Sequence, residues 1–174
     1  MNKVQLETDR LIMRMWRVQD FEPYFEVCSD PQVMHFLGAG KPLDRVETWR
    51  HMAFMAGHWQ LLGFGPFAIE DKATGQFVGR VGFLHPEGWP AFELGWTLSR
   101  KFWGRGYASE AARRALAYAF DELDKDHVIS LIDPQNINSI KVAERLGEKV
   151  EGKTDLFGRE VLIYGIDRPV NSES

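Results

Sequence analysis

The stretch Leu98-Ser99-Arg100-Lys101-Phe102-Trp103-Gly104-Arg105-Gly106-Tyr107-Ala108-Ser109-Glu110 decides how this chain is read. It joins an expected strand to an expected helix. Gly104 and Gly106 let the backbone turn with its N–H groups pointing inward, and a helix N-terminus follows at once. Free amides and the positive end of a helix dipole together make an anion site. Arg100, Lys101 and Arg105 add positive charge at its rim. Glu110 falls in the first helical turn, where the dipole favours a carboxylate. Two other phosphate loops do not fit. The dinucleotide fingerprint needs a third glycine where this chain has Ser109, and the nucleotide-hydrolase loop needs Gly-Lys-Ser/Thr. A Gly-x-Gly pair taken alone reads more simply as a strand-to-helix turn, so the flanking sequence has to carry the rest.

Downstream, Ala108, Ala111, Ala112, Ala115, Ala119, Phe120 and Leu123 fall on one helical face. Most are alanines, which let a helix lie close against a sheet. Upstream, strands are expected at 67–70, 76–84 and 91–98, with short turns between them, as an antiparallel meander. Further out, a strand is expected at 11–16 and a helix at 21–28 with Asp20 as its N-cap. A short helix follows Asp30-Pro31 and ends at Gly38 and Gly40. Asp44 opens a longer helix, which Gly63-Phe64-Gly65-Pro66 stops. Beyond the loop come a buried strand at 128–132, a helix from Asn136 to Leu146 stopped by Gly147, and a final strand at 160–166. This order predicts an α+β fold with a mixed sheet.

The 174 residues are 44% hydrophobic, 26% charged and 13% aromatic, which excludes disorder and low complexity. They suit one domain, expected over 1–167, with a polar flexible tail over 168–174. Net charge is −4, so no nucleic-acid footprint is expected. The one cysteine, Cys28, lies in a helical pattern and reads as a buried, inert thiol. No signal peptide and no membrane span are expected, and the protein is expected to be cytoplasmic. The sequence leaves a homodimer open.

Six separated segments carry a resemblance. They are Glu7 to Arg14, Ser29 to Met34, Phe77 to Phe83, Glu93-Leu94-Gly95-Trp96, Trp103 to Ala111, and Asn136-x-x-Ser139 followed by Val142, Glu144, Leu146 and Gly147. In this order and spacing the chain resembles the GCN5-related N-acetyltransferase (GNAT) superfamily. Within it, the chain looks like the branch typified by the ribosomal-protein N-terminal acetyltransferases RimJ and RimL. The resemblance implies a mixed, mostly antiparallel sheet, splayed at the cofactor site, with helices on both faces. It implies acetyl-CoA as donor and no metal. The pyrophosphate is then expected on the loop of Gly104, Arg105, Gly106, Tyr107, Ala108 and Ser109, with Lys101 at its rim. The pantetheine is expected alongside Trp96, Thr97 and Leu98, with Asn136 bonding the arm and Ser139 near the thioester sulfur.

Transfer needs a neutral amine, a stabilised oxyanion and a departing thiolate. An α-amine, with a pKa of about 8, needs less help than a lysine at about 10.4. Glu93 is the first candidate for the base, against the reading that it only orders the neighbouring strand. His85 is the second, and a solvated turn histidine is its simpler reading. Many relatives place a tyrosine acid where this chain has Ala143. Ser139 is then the candidate proton donor, against a role in capping and cofactor binding alone. Glu148 stands where the family usually has an aromatic residue or Met that packs the last strand. His51 and His58 lack a ligand cluster, so they are not read as a metal site. Trp49, Phe54, Trp59 and Phe64 are expected mostly in the core, with some walling the acceptor cleft together with Leu156-Phe157-Gly158. The expected acceptor is a protein N-terminal α-amine or a small amine. A small-molecule detoxifying transferase and a non-catalytic CoA sensor are the alternatives.

Overall fold

A computed structural model describes residues 4–170, so the end of the expected tail, 171–174, lies outside the described residues. The elements are β1 (Gln5–Glu7), β2 (Leu11–Arg14), α1 (Phe21–Cys28), α2 (Pro31–Met34), α3 (Arg45–Leu62), β3 (Pro66–Asp71), β4 (Phe77–Leu84) and β5 (Glu93–Leu98). After the loop come α4 (Tyr107–Asp121), β6 (His127–Ile132), α5 (Ile137–Leu146), β7 (Lys149–Leu156) and β8 (Arg159–Asp167). The eight strands form one sheet in the order β1-β2-β3-β4-β5-β6-β8-β7. Every pairing is antiparallel except β5 with β6.

Local chemistry explains most boundaries. Asp44 opens α3 as a capping box, its side chain accepting from Glu47 N while Glu47 accepts from Asp44 N. Gly63 closes α3 at φ 75°. Asp20 is the N-cap residue of α1 as expected, but its side chain makes no capping bond. Its buried carboxylate instead takes two bonds from Arg14, at 2.8 and 2.9 Å, and one from Arg17 N at 2.7 Å. A guanidinium that is itself buried outbids a helix amide for that carboxylate. β7, which pairs with β8, has no counterpart among the strands read from the periodicity. Its sequence KVEGKTDL is exposed nearly throughout, so no alternation marks it.

Ala111, Ala112, Ala115 and Ala119 of α4 are fully packed against the sheet, as their small size allows. α4 covers the face of β4 and β5 that carries Val81, Phe83 and Leu94. α1 packs on β4 from the other side, with α3 stacked on α1. On that second face the β4–β5 register aligns Leu84 with Glu93, Gly82 with Gly95, and Arg80 with Thr97. β5 pairs with β4 along its whole length but with β6 only at Glu93↔Ile129. The sheet therefore splays after Glu93, and the β6-facing backbone groups of β5 are left without a strand partner.

Candidate active site

The loop after β5 forms one 3-10 turn and then passes through Gly104 and Gly106, both left-handed at φ 75° and 77°. Only glycine adopts such angles without strain. Gly106 is the N-cap of α4 and no side chain caps it; the first bond back into the helix runs from Glu110 N to Gly106 O, 3.0 Å. The amides of Tyr107, Ala108 and Ser109 therefore lack helical acceptors. They stand at a cleft of 750 Å³ that runs back along the splay. Of the twelve residues expected to hold a cofactor, ten line it: Trp96, Thr97, Leu98, Gly104, Gly106, Tyr107, Ala108, Ser109, Asn136 and Ser139. Arg105 does not line it; its guanidinium lies 5.3 Å from the Phe102 ring centre.

The expected rim charges do not line the cleft. Lys101 lies outside the cleft lining, with Nζ 3.0 Å from Glu26. Arg100 is bonded to Asp30 and Gln32. Lys141 and Arg145 of α5 line the cleft instead. Their i, i+4 spacing downstream of Asn136 was the available signal. The Glu110 carboxylate is not free for a ligand either: it accepts from Thr8 Oγ1, Arg10 N and Arg10 Nε. Tyr107 likewise commits its hydroxyl to Asp71, at 2.7 Å.

Asn136 is the N-cap of α5, and its Oδ1 accepts from Ser139 N at 3.2 Å. That leaves its amide NH2 free to donate. Trp96 Nε1 donates to Ser139 Oγ at 3.3 Å across the splay. With an acceptor position so occupied, the Ser139 hydroxyl keeps its own proton for another partner.

A second cavity, of 560 Å³, opens on the sheet face covered by α1 to α3. It meets the first at Trp96, Thr97, Asn136 and Ser139. Its walls are mostly apolar and aromatic, including Phe36, Leu37, Phe54, Leu84, Trp89 and Phe157. Phe54 thus faces a cavity, Trp49 is exposed, and only Trp59 of the α3 tryptophans is fully buried. Glu93 lines this second cavity, and Trp89 Nε1 donates to its Oε2. Burial pushes the Glu93 carboxyl up, and the Trp89 N–H and the Arg80 charge oppose that shift. His85 is exposed and lines neither cavity. His58 belongs to the fold: Nδ1 meets Phe64 O, and Nε2 accepts from His85 N.

Residues 10–149 match the acetyltransferase (GNAT) domain. The chain belongs to the GNAT acetyltransferase family. It is 32% identical to the uncharacterized N-acetyltransferase p20 of Bacillus licheniformis, over 84% of this chain and 83% of that one. The crystal structure of an acetyltransferase from Agrobacterium tumefaciens superposes with a TM-score of 0.86 at 31% identity, covering 97% and 96% of the two chains. RimL, the ribosomal L7/L12 α-N-protein acetyltransferase, solved with coenzyme A, shares the fold with a TM-score of 0.78 at 18% identity, covering 94% and 98%.

A GNAT enzyme is an acyltransferase that uses acetyl-CoA. The first cleft suits that donor on three observations. The α4 amides are unsatisfied, the β5 edge lacks a strand partner, and Thr97 Oγ1 is buried with no hydrogen-bond partner. Behind the site, Glu148 is buried where the GNAT pattern has a packing residue. Its Oε1 lies 3.0 Å from Ser130 Oγ, which is itself 2.9 Å from Leu94 O. The single hydroxyl hydrogen of Ser130 is shared between these two acceptors. Burial pushes the Glu148 carboxyl up to about 7, and the Ser130 hydrogen bond opposes that shift.

Proposed function

We propose that the chain acetylates a primary amine, either a protein N-terminal α-amine or a small amine, by direct attack while donor and acceptor are both bound. The observation that carries this reading is the meeting of the two cavities at Trp96, Thr97, Asn136 and Ser139, with Glu93 on the wall of the second. Acetyl-CoA supplies an acetyl thioester whose carbonyl is the electrophile. The amides of Tyr107, Ala108 and Ser109 bind its pyrophosphate, and Lys141 and Arg145 add charge beside them. The Asn136 amide and the free β5 edge hold the pantetheine. Glu93 Oε1, the oxygen that does not accept from Trp89, takes the proton from the attacking amine. A backbone N–H near Trp96 or Thr97 meets the oxyanion. Ser139 donates its hydroxyl proton towards the departing sulfur, with Trp96 holding the hydroxyl in place.

Thiol release tests this reading, using acetyl-CoA with peptides bearing different N-termini and with a panel of small amines. Turnover that saturates in one acceptor class supports it and chooses the class. Tight CoA binding with no turnover in any class would replace it with a CoA sensor. Retention of CoA affinity by Gly106→Trp would remove the loop from the donor site.

A further inference from the structure

Arg80 has no part in the chemistry above, yet it lines the acceptor cavity. It projects from β4 opposite Thr97, on the face that also carries Glu93 and Gly95. The cavity's other arginine, Arg159, is paired with Asp133 at 2.8 Å. Among the described residues Arg80 has no carboxylate within ion-pair distance, and its buried Nε has no hydrogen-bond partner. Arg80 is half-buried, and its neighbours include the neutral Tyr24 hydroxyl, which meets its side chain. A buried guanidinium N–H with no acceptor is costly to keep, and the planar fork matches a carboxylate.

The groups around it do not neutralise it. His51 Nδ1 meets Tyr24 Oη at 2.8 Å, and burial, aided by the Arg80 charge, holds that imidazole neutral with a pKa of about 4. Burial pushes the Tyr24 hydroxyl and the Cys28 thiol up, so neither becomes an anion at neutral pH. Glu87 lies exposed at the rim. Glu93 is the nearby carboxylate, and its Oε2 is held by Trp89.

Gly95 sets the spacing. A Cβ there would lie 3.8 Å from Arg80 Nη1 and 3.8 Å from Glu93 Oε1. The absent side chain leaves that space open. Arg80 Nη1 and Glu93 Oε1 therefore border the same open space over Gly95, where one small molecule would meet both.

We infer that Arg80 is a carboxylate subsite, so that the acceptor is a small α- or β-amino acid whose amine meets Glu93, whose carboxylate meets Arg80 and whose apolar side chain packs on the aromatic walls. This rests on the acceptor-cavity reading above and narrows it. An N-terminal residue within a peptide offers an amide where the carboxylate should be, and a polyamine would bring positive charge to Arg80.

Two measurements test it. The first needs no turnover. With CoA saturating, N-acetyl-leucine, N-acetyl-methionine and N-acetyl-phenylalanine are titrated against their carboxamides by calorimetry. At least one acid should bind 10-fold or more tighter than its amide. Arg80→Gln should abolish that preference and Arg80→Lys should keep part of it, both with CoA affinity intact as the check on folding. Equal binding of acid and amide throughout, or a preference that survives Arg80→Gln, overturns the inference. The second measurement compares leucine, leucinamide and isoamylamine as acceptors by thiol release. The acid should lead through a lower KM, and Arg80→Gln should erase that lead. A pH–rate profile shifted equally for acid and amide acceptors by Arg80→Gln would make Arg80 a tuner of Glu93 and would also overturn the inference. If no amine of any kind is acetylated, the transfer reading fails, and the binding comparison still decides the subsite.

Discussion

At Glu93 a buried carboxyl, pushed up by desolvation, faces a cavity beside a donating indole. Only the carboxylate can accept the amine proton. Activity should therefore rise with pH through a pKa above the ordinary carboxylate range. Glu93→Gln should lower kcat/KM by about 10²- to 10⁴-fold and remove that acidic limb from the pH–rate profile. Glu148 makes a different prediction, because its titration is felt in stability. Its folded pKa of about 7 stands above the ordinary 4.5. The folded chain binds a proton there that the unfolded chain releases, so the stabilisation is complete below about pH 4.5 and is lost as pH rises through about 7. Glu148→Gln should match the parent near pH 5 and exceed it at pH 8 by on the order of 3 kcal/mol, read from urea unfolding midpoints. The sequence marked both positions, Glu93 by its place on the strand and Glu148 by its departure from the pattern. Burial is what turns one into a candidate base and the other into a proton holder.

Among the elements, α5 supplies much of the lining of the first cleft. Asn136 caps it, Ser139 sits in its first turn, and Lys141 and Arg145 follow along the cleft. Replacing Lys141 and Arg145 together with Gln should weaken CoA binding by about 10-fold and flatten its dependence on ionic strength, since screened attraction is what they contribute. Calorimetry at low and high salt checks both parts. The ends of α3 and α5 were legible because their caps are local, Asp44 with Glu47 and Asn136 with Ser139. The N-cap position of α1 was legible too, but not its missing capping bond, because Arg14 competes for the Asp20 carboxylate from a neighbouring strand. β7 escaped the periodicity for another reason: both its faces meet water, and its identity comes from pairing with β8.

For the whole molecule, the decisive feature is that β1 to β5 and the β6-β8-β7 group touch along the sheet at a single parallel pair. A donor seated in that splay would bridge both groups. CoA at 100 times its dissociation constant should raise stability by about 2.7 kcal/mol through mass action alone. A thermal scan with and without CoA would show the shift, and no shift would argue against binding in the folded state. Among the described residues no helix is long and apolar enough to cross a membrane.

The sequence by itself determined the order of the helices and of the strands other than β1 and β7, the glycine loop before α4, and Trp96, Thr97, Leu98, Asn136 and Ser139 along β5 and α5 as residues that line the first cleft. Those features depend on neighbours within a few positions, where period, caps and left-handed turns act. Only the tertiary structure decided which charges are free. Lys101 and Arg100 lie beside Glu26 and Asp30, 75 and 70 residues away along the chain, and outside the cavity linings, while Lys141, Arg145 and Arg80 line the cavities. A charge is available to a ligand only where folding has brought it no partner, and that depends on which distant segments the sheet and its helices pack side by side.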